Sequence, residues 1–161
     1  MPPSARSPST PPPSAATSSC CPEPRRAARA RADPDLKARW FIGPDDWMPV
    51  RRELDLRVGG QELLQGRFAK SGRETLFTAR YHDIVKGERL VYVYDMHTAG
   101  KLHSTSLATV EMRPRGAGTQ PVFTEQVAFL DGTDGRERTA SRERGTAAHL
   151  DRIGRALREA S

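Results

Sequence analysis

Residues 72–132 decide the fold and read GRETLFTARYHDIVKGERLVYVYDMHTAGKLHSTSLATVEMRPRGAGTQPVFTEQVAFLDG. Within this stretch, four segments show the composition and alternation of strands. They are RETLFTARYHDIV, ERLVYVYDMH, HSTSLATVEMR and TQPVFTEQVAFL. Turn residues separate these segments at Lys86-Gly87, Ala99-Gly100 and Gly116-Ala117-Gly118. The stretch therefore predicts consecutive antiparallel strands joined by short turns.

Two shorter segments precede this stretch and extend the predicted sheet. Residues 52–58 alternate leucine and valine with charged residues, which is the pattern of a strand with one buried face. The glycine pair at 59–60 predicts a hairpin turn into another strand near residues 61–68. Further upstream, an N-capping aspartate followed by a proline predicts a short helix over residues 33–41.

The C-terminal part of the chain predicts one amphipathic helix over residues 141–159. Leu150, Ile153 and Leu157 recur at spacings of three and four, while charged residues such as Arg142 occupy the remaining positions. A single apolar stripe on a charged helix indicates that the helix packs against the sheet. The expected fold class is α+β, a curved antiparallel sheet wrapped around a long C-terminal helix.

The first 32 residues differ in composition from the rest of the chain. No valine, isoleucine, leucine or aromatic residue occurs between Met1 and Asp33, where proline, serine, alanine and arginine dominate. Such a segment cannot bury enough apolar surface to offset its ordering entropy. We therefore expect a disordered leader over residues 1–32 and a single domain over residues 33–161.

The formal net charge of +6 is concentrated near the N-terminus. Residues 1–39 carry seven basic and three acidic groups, so only +2 remains for the rest of the chain. This distribution does not indicate a nucleic-acid partner, and no apolar run is long enough for a membrane span. The only two cysteines, Cys20 and Cys21, are adjacent in the leader, which favours a reducing, cytoplasmic setting.

Six segments, taken in chain order, resemble a known superfamily. They are DPDLKARWF, LDLRVGG, GRETLFTARYHDIVKGERLVYVYDMH, SLATVEMRP, TEQVAFLDG and RERGT…LDRIGRAL. Over residues 33–159 they resemble the SRPBCC superfamily of START/Bet v 1-like domains. Within it, the chain is most similar to the bacterial AHSA1-like family, named for the C-terminal domain of the activator of the Hsp90 ATPase. The resemblance implies a helix-grip fold.

The resemblance also implies a strand and half a helix ahead of the Asp33-Pro34 step. Residues 1–32 supply none of the large apolar side chains that these elements would bury. We therefore expect the first strand to be missing or degraded. We hypothesise that the start or the reading frame of this segment is misassigned.

Domains of this kind hold lipids, polyketides or other apolar molecules between sheet and helix, so the resemblance implies a cavity there. Strand parity, together with two tryptophans beside the Gly43-Pro44 turn, selects the candidate lining. The predicted ligand-binding residues are Trp40, Trp47, Phe77, Tyr81, Tyr92, Tyr94, Met96, Val110, Phe123 and Ile153. These side chains would also suit an ordinary apolar core, and the tryptophans would also suit packing anchors.

Motifs for catalysis or metal binding are few. None of the four histidines has the spacing that a metal site would show. No nucleophile elbow or phosphate-binding loop occurs in the sequence. Glu125 shares a strand face with Phe123 and is a weak candidate for a catalytic acid or base. We expect no metal and no cofactor.

The sequence leaves three functions open. The favoured hypothesis is a non-enzymatic binder of an apolar small molecule, acting as a monomer or a homodimer. The resemblance implies a first alternative, a chaperone interaction module similar to the Hsp90 activator. A second alternative is a cyclase-like or hydrolase-like enzyme that uses Glu125 with Tyr81 or Tyr94. An enzymatic role is the less favoured one.

Overall fold

The computed structural model describes residues 14–17, 41, 43–86, 88–115, 118–132 and 135–159, with the backbone alone for 14–17, 118–119 and 153–159. Its elements in chain order are β1 Ser14–Thr17, β2 Trp47–Leu54, β3 Gln61–Phe68, β4 Glu74–Val85, β5 Arg89–Thr98, β6 Lys101–Arg115, β7 Gly118–Phe129 and the helix α1 Gly135–Glu159. The strands form one sheet in the order β1-β7-β6-β5-β4-β3-β2, and every neighbouring pair is antiparallel. The predicted α+β class, a curved antiparallel sheet with a long C-terminal helix, is confirmed.

The strands β4 to β7 follow the alternation of the decisive stretch. A two-residue turn at Ala99-Gly100 joins β5 to β6, and its φ angles are 50° and 76°. Positive φ at both positions matches the right-handed twist of the flanking strands, which is why two-residue hairpins favour it. The turn therefore fixes the register of the two central strands.

The strand β2 begins earlier than the pattern predicts. It spans Trp47–Leu54, so the predicted strand over residues 52–58 is wrong for its second half. Residues 55–60 form a loop. Gly59 donates its N–H to the carbonyl of Tyr81 at 2.8 Å, and Tyr81 donates its N–H to the carbonyl of Gly60 at 3.0 Å. The loop is tied to β4; the predicted hairpin into β3 Gln61–Phe68 forms, but its connection is this longer loop and not a turn at the glycine pair alone.

The strand β1 lies inside the predicted leader, so the expectation of disorder does not hold for residues 14–17. Its backbone pairs with Val122 to Glu125 of β7 at the edge of the sheet. An edge strand can be held by backbone hydrogen bonds, which a search for apolar periodicity does not detect. The missing first strand of the family stays a prediction, and the predicted helix over residues 33–41 lies outside the described residues except for Phe41.

The helix α1 begins at Gly135, six residues before the predicted start at 141. The segment GRERTA before that point carries no apolar stripe, but arginine, glutamate and alanine are good helix formers. The Thr139 hydroxyl donates to the Gly135 carbonyl at 2.7 Å within the first turn. In the part of the chain that the structure describes, no helix is long and apolar enough to cross a membrane.

The buried core joins the inner face of the sheet to α1. Small and large side chains face each other across the strands, as in the pairs Ala79 with Tyr94 and Ala108 with Tyr92. The small partners leave space above the inner face of the sheet. The core cluster consists of Leu64, Phe77, Ala79, Tyr94, Ala108, Val110, Phe123 and Leu150.

Candidate ligand-binding cavity

A cavity of about 560 Å³ lies between the inner face of the sheet and α1. This volume is within the range of small-molecule sites, roughly 300–1,000 Å³. Its apolar and aromatic lining includes Phe41, Trp47, Leu64, Phe68, Phe77, Tyr81, Leu90, Tyr92, Tyr94, Met96, Val110, Phe123, Phe129, Ala148 and Leu150.

Eight of the ten predicted ligand-binding residues line this cavity. They are Trp47, Phe77, Tyr81, Tyr92, Tyr94, Met96, Val110 and Phe123. Trp40 and the side chain of Ile153 lie outside the described part of the chain. That the eight contact a ligand stays a prediction.

Trp47 is fixed at one end of the cavity by two neighbours. Its indole Nε1 donates a hydrogen bond to Thr75 Oγ1 at 2.8 Å. Its ring lies on Gly66, where a β-carbon would stand 2.0 Å from Trp47 Cζ2. The close approach requires glycine at this position of β3, so the Trp47 ring packs directly on the backbone of the sheet and forms part of the cavity wall.

A row of aromatic rings crosses the inner face of the sheet. Phe41 meets Phe77 edge-on at a centroid distance of 5.0 Å, and Phe77 lies 5.1 Å from Tyr94. Tyr92 continues the row at 5.8 Å from Tyr94 and 5.9 Å from Tyr81. Tilted and edge-on contacts at these distances are the favourable ones for aromatic pairs. The row forms a continuous apolar surface that carries hydroxyl groups on its tyrosines.

A polar cluster, the Arg142 cluster, lies at one side of this row and consists of Tyr94, Ser104, Glu125 and Arg142. The Tyr94 hydroxyl donates to Glu125 Oε1 at 2.5 Å. Arg142 Nη1 donates to Tyr94 Oη at 2.9 Å, and Arg142 Nη2 donates to Ser104 Oγ at 2.6 Å. Arg142 Nη1 also lies 4.0 Å from Glu125 Oε1. The cluster ties α1 to β5, β6 and β7 through charge-assisted hydrogen bonds.

Burial raises the pKa of the Tyr94 phenol above its ordinary value; Arg142 opposes this rise, and Glu125 adds to it. The phenol therefore keeps its proton in the folded protein and remains a donor to Glu125. In the unfolded chain it titrates near its ordinary pKa of about 10. Its stabilising contribution is then complete below about pH 10 and is lost as the pH rises toward the raised folded-state pKa.

We expect the wild-type protein to lose stability above about pH 10 more steeply than a Tyr94→Phe variant. The extra slope should approach at most about 1.4 kcal/mol per pH unit, the value for one proton. Urea unfolding midpoints, measured from neutral pH to pH 11 or so, give both slopes. Lysine titration is common to both proteins and cancels in the difference. Equal slopes would show that the phenol is not buried as described.

A second buried carboxylate, Glu62 on β3, accepts a hydrogen bond from the Tyr81 hydroxyl at 2.7 Å. Both residues line the cavity. The nearby Arg52 guanidinium donates to the Phe41 carbonyl at 2.5 Å. Burial lowers the pKa of Arg52, while Glu62 acts in the opposite direction. The inner face of the sheet thus carries two tyrosine–glutamate pairs, whose tyrosines both belong to the aromatic row.

A histidine–aspartate contact adjoins the Arg142 cluster. His103 Nδ1 lies 2.7 Å from Asp131 Oδ2, and Arg138 Nη2 lies 3.5 Å from the same oxygen. His103 and Arg138 line the cavity. The contact positions polar groups from β6 and α1 along one rim.

Sequence reasoning missed several of these polar residues. The helix pattern places Arg142 on the charged side, and this placement is wrong, since Arg142 lies eight residues before Leu150 and so shares its side of the helix. Glu62 and Leu64 are two residues apart and share one face of β3, and that shared face was a usable signal for an inward carboxylate. Nothing local in the sequence indicates Ser104, because its contact depends on where α1 docks.

The predicted inward orientation of Glu125 agrees with its burial, at 4% exposed. The cavity lining includes its partners Tyr94 and Arg142 but not Glu125 itself. A catalytic role for Glu125 stays a prediction. Among the described residues, no group of three or more histidine, cysteine, aspartate or glutamate side chains could hold a metal ion.

A curved antiparallel sheet that closes on one long helix, with a cavity between them, defines a helix-grip domain of the START-like class. The sequence model of the family described as "Activator of Hsp90 ATPase homolog 1-like protein" matches residues 25–158. The chain therefore belongs to this family. No curated protein matches the sequence.

Solved structures with related sequences share this fold. A protein from Rhizobium leguminosarum is 32% identical with a TM-score of 0.82, over 91% of this chain and 94% of that one. A protein from Rhizobium loti is 33% identical with a TM-score of 0.75, over 89% and 94% of the two chains. An AHSA1-like protein from Aeromonas hydrophila, 22% identical with a TM-score of 0.68 over 92% and 93%, is similar in fold.

Proposed function

We propose that the chain is a non-enzymatic binder of an apolar small molecule, which it holds in the cavity between the sheet and α1. The observation that carries the proposal is the cavity of about 560 Å³ with its mainly apolar and aromatic lining. Sites of this size, with few polar groups among many apolar ones, are typical of small-molecule binding. The proposal includes the predicted cytoplasmic location and the predicted monomeric or homodimeric state.

The hydrogen bonds made by two tyrosines of the cavity lining are the basis for preferring binding over catalysis. Glu125 accepts the Tyr94 hydroxyl, and Glu62 accepts the Tyr81 hydroxyl. A carboxylate that accepts from a neutral phenol is held in place as a hydrogen-bond acceptor. A general base needs in addition a proton of the substrate within reach. The two pairs are thus well placed to shape the cavity and to set its polarity.

The test uses the neutral fluorophore N-phenylnaphthylamine, whose emission rises in apolar surroundings. Ala147 and Ala148 are adjacent exposed residues of α1, and of the two only Ala148 lines the cavity. A tryptophan at position 148 would occupy space at the cavity, whereas one at position 147 would point elsewhere. We expect Ala148→Trp to weaken binding of the fluorophore about tenfold or more, and Ala147→Trp to leave it unchanged.

Equal affinity of wild type and Ala148→Trp would show that the fluorophore binds elsewhere and would contradict the proposal. Thermal unfolding of both variants serves as the folding control. Native mass spectrometry of the purified protein then shows whether an apolar molecule accompanies it. A bound molecule that is recovered unchanged after incubation supports binding without turnover, and recovery as a product would favour the enzyme alternative.

The family match favours one second candidate, a chaperone interaction module that stimulates an Hsp90 ATPase. The two functions are separated by adding the purified protein to an Hsp90 ATPase assay. Stimulation by both wild type and Ala148→Trp would favour the module, because that activity would not depend on the cavity.

A further inference from the structure

The helix α1 turns three arginines toward the cavity, namely Arg138, Arg142 and Arg152. Arg142 is the most informative of them, because its side chain is only 18% exposed. In the described contacts, one N–H of each terminal nitrogen is engaged, by Tyr94 and by Ser104. An arginine has five N–H donors, so these two hydrogen bonds leave three other donors on Arg142.

The carboxylates near Arg142 and Arg138 are not part of the cavity lining. Glu125 lies 4.0 Å from Arg142 but is not part of the lining, while Arg142 and the Tyr94 hydroxyl are. Asp131, the partner of Arg138 and His103, is likewise not part of the lining. A ligand on this side of the cavity therefore meets cationic donors first, with the carboxylates in a second layer.

The cavity lining also contains a carboxylate. It is Glu62, on β3, which accepts a hydrogen bond from Tyr81. In the aromatic row, Tyr92 lies between Tyr81 and Tyr94. Arg142 thus lies beside Tyr94, whereas Glu62, with Arg52 near it, lies beside Tyr81, and the two tyrosines are separated by Tyr92.

We propose that the ligand is an amphipathic carboxylate whose apolar body lies on the aromatic row and whose carboxylate contacts Arg142. This inference rests on the proposed function and specifies the class of molecule bound. The planar guanidinium matches a carboxylate with two parallel hydrogen bonds, and such charge-assisted pairs are stronger than neutral ones. A cationic ligand would meet Arg142 with like charge, and a neutral one would leave its remaining donors without a strong acceptor.

The test compares dodecanoate with dodecanol by isothermal titration at neutral pH. The two probes have the same alkyl chain and differ in the charged group. We expect wild type to bind dodecanoate about tenfold or more tightly than dodecanol. Arg142→Gln should remove most of this preference by weakening dodecanoate alone. Arg144→Gln, an exposed residue of α1 outside the lining, is the matched control and should retain it.

A third variant probes the second layer. Glu125→Gln removes a negative charge near Arg142, so it should raise the dodecanoate preference above the wild-type ratio. The conservative Arg142→Lys keeps the charge but loses the fork geometry, and it should retain a reduced preference. A purely structural role of Arg142 would weaken both probes alike.

A wild-type preference for dodecanol, or equal affinities, would overturn the carboxylate inference while leaving the binding function intact. A preference unchanged in Arg142→Gln would overturn it as well. Failure of both probes to bind would overturn the inference together with the proposed function for alkyl ligands. The wild-type comparison needs no variant, so the inference remains falsifiable even where Arg142→Gln does not fold.

Discussion

Replacing Phe77 with alanine is expected to lower the free energy of unfolding by about 3–5 kcal/mol. The ring is 8% exposed and packs edge-on against Phe41 at 5.0 Å and against Tyr94 at 5.1 Å. It is central to the aromatic row, and its removal deletes both contacts and enlarges the adjacent cavity. Urea unfolding monitored by circular dichroism measures the loss, with the slope against denaturant as the check for two-state behaviour.

Two controls separate core packing from general sensitivity. Phe77→Leu keeps most of the apolar volume and should cost less than alanine does. Leu107 on β6 faces away from the core at 45% exposed, and Leu107→Ala should change the stability by about 0.5 kcal/mol or less. If Phe77→Ala were as mild as Leu107→Ala, the ring would not be part of a packed core.

The strands were largely predictable because their pattern is local. The alternation around Phe77, Ala79 and Tyr81 gives the buried face of β4, and the structure buries all three. The same reasoning needs a regular strand. The pairing of β5 with β6 is not regular: Met96 lies opposite Ser104 and His97 opposite Leu102, so His103 is an extra residue in β6. One extra residue in a strand reverses the parity beyond it, and no sequence signal marked that place.

The polar part of the site was less predictable because it joins residues far apart in the chain. Arg142 and Tyr94 are 48 residues apart, and Arg142 and Ser104 are 38 apart. Their contacts depend on how α1 lies across the sheet, which follows from the sum of the packing and not from any short segment. Periodicity could therefore select the apolar lining, whereas the groups that give the cavity its charge required the three-dimensional structure.

Removing the Glu125 side chain is the second substitution that we expect to lower stability strongly. We expect Glu125→Ala to lower the free energy of unfolding by about 3 kcal/mol, at the lower end for a broken buried ion pair because Arg142 is partly exposed. The substitution leaves the Arg142 charge without its nearby carboxylate and the Tyr94 hydroxyl without its acceptor. Thermal or urea unfolding at neutral pH measures the loss, and Glu143→Ala at an exposed position of α1 is the control.

The size of this effect depends on charge, and two further variants test that cause. Glu125→Gln keeps an oxygen acceptor for the Tyr94 hydroxyl and removes only the charge, so it should be milder than alanine. Glu125→Ala combined with Arg142→Leu removes both charges, and the double variant should be more stable than the sum of the single losses predicts. Additive losses would mean that Glu125 and Arg142 do not interact, and that the Arg142 cluster stabilises the docking of α1 through its other hydrogen bonds alone.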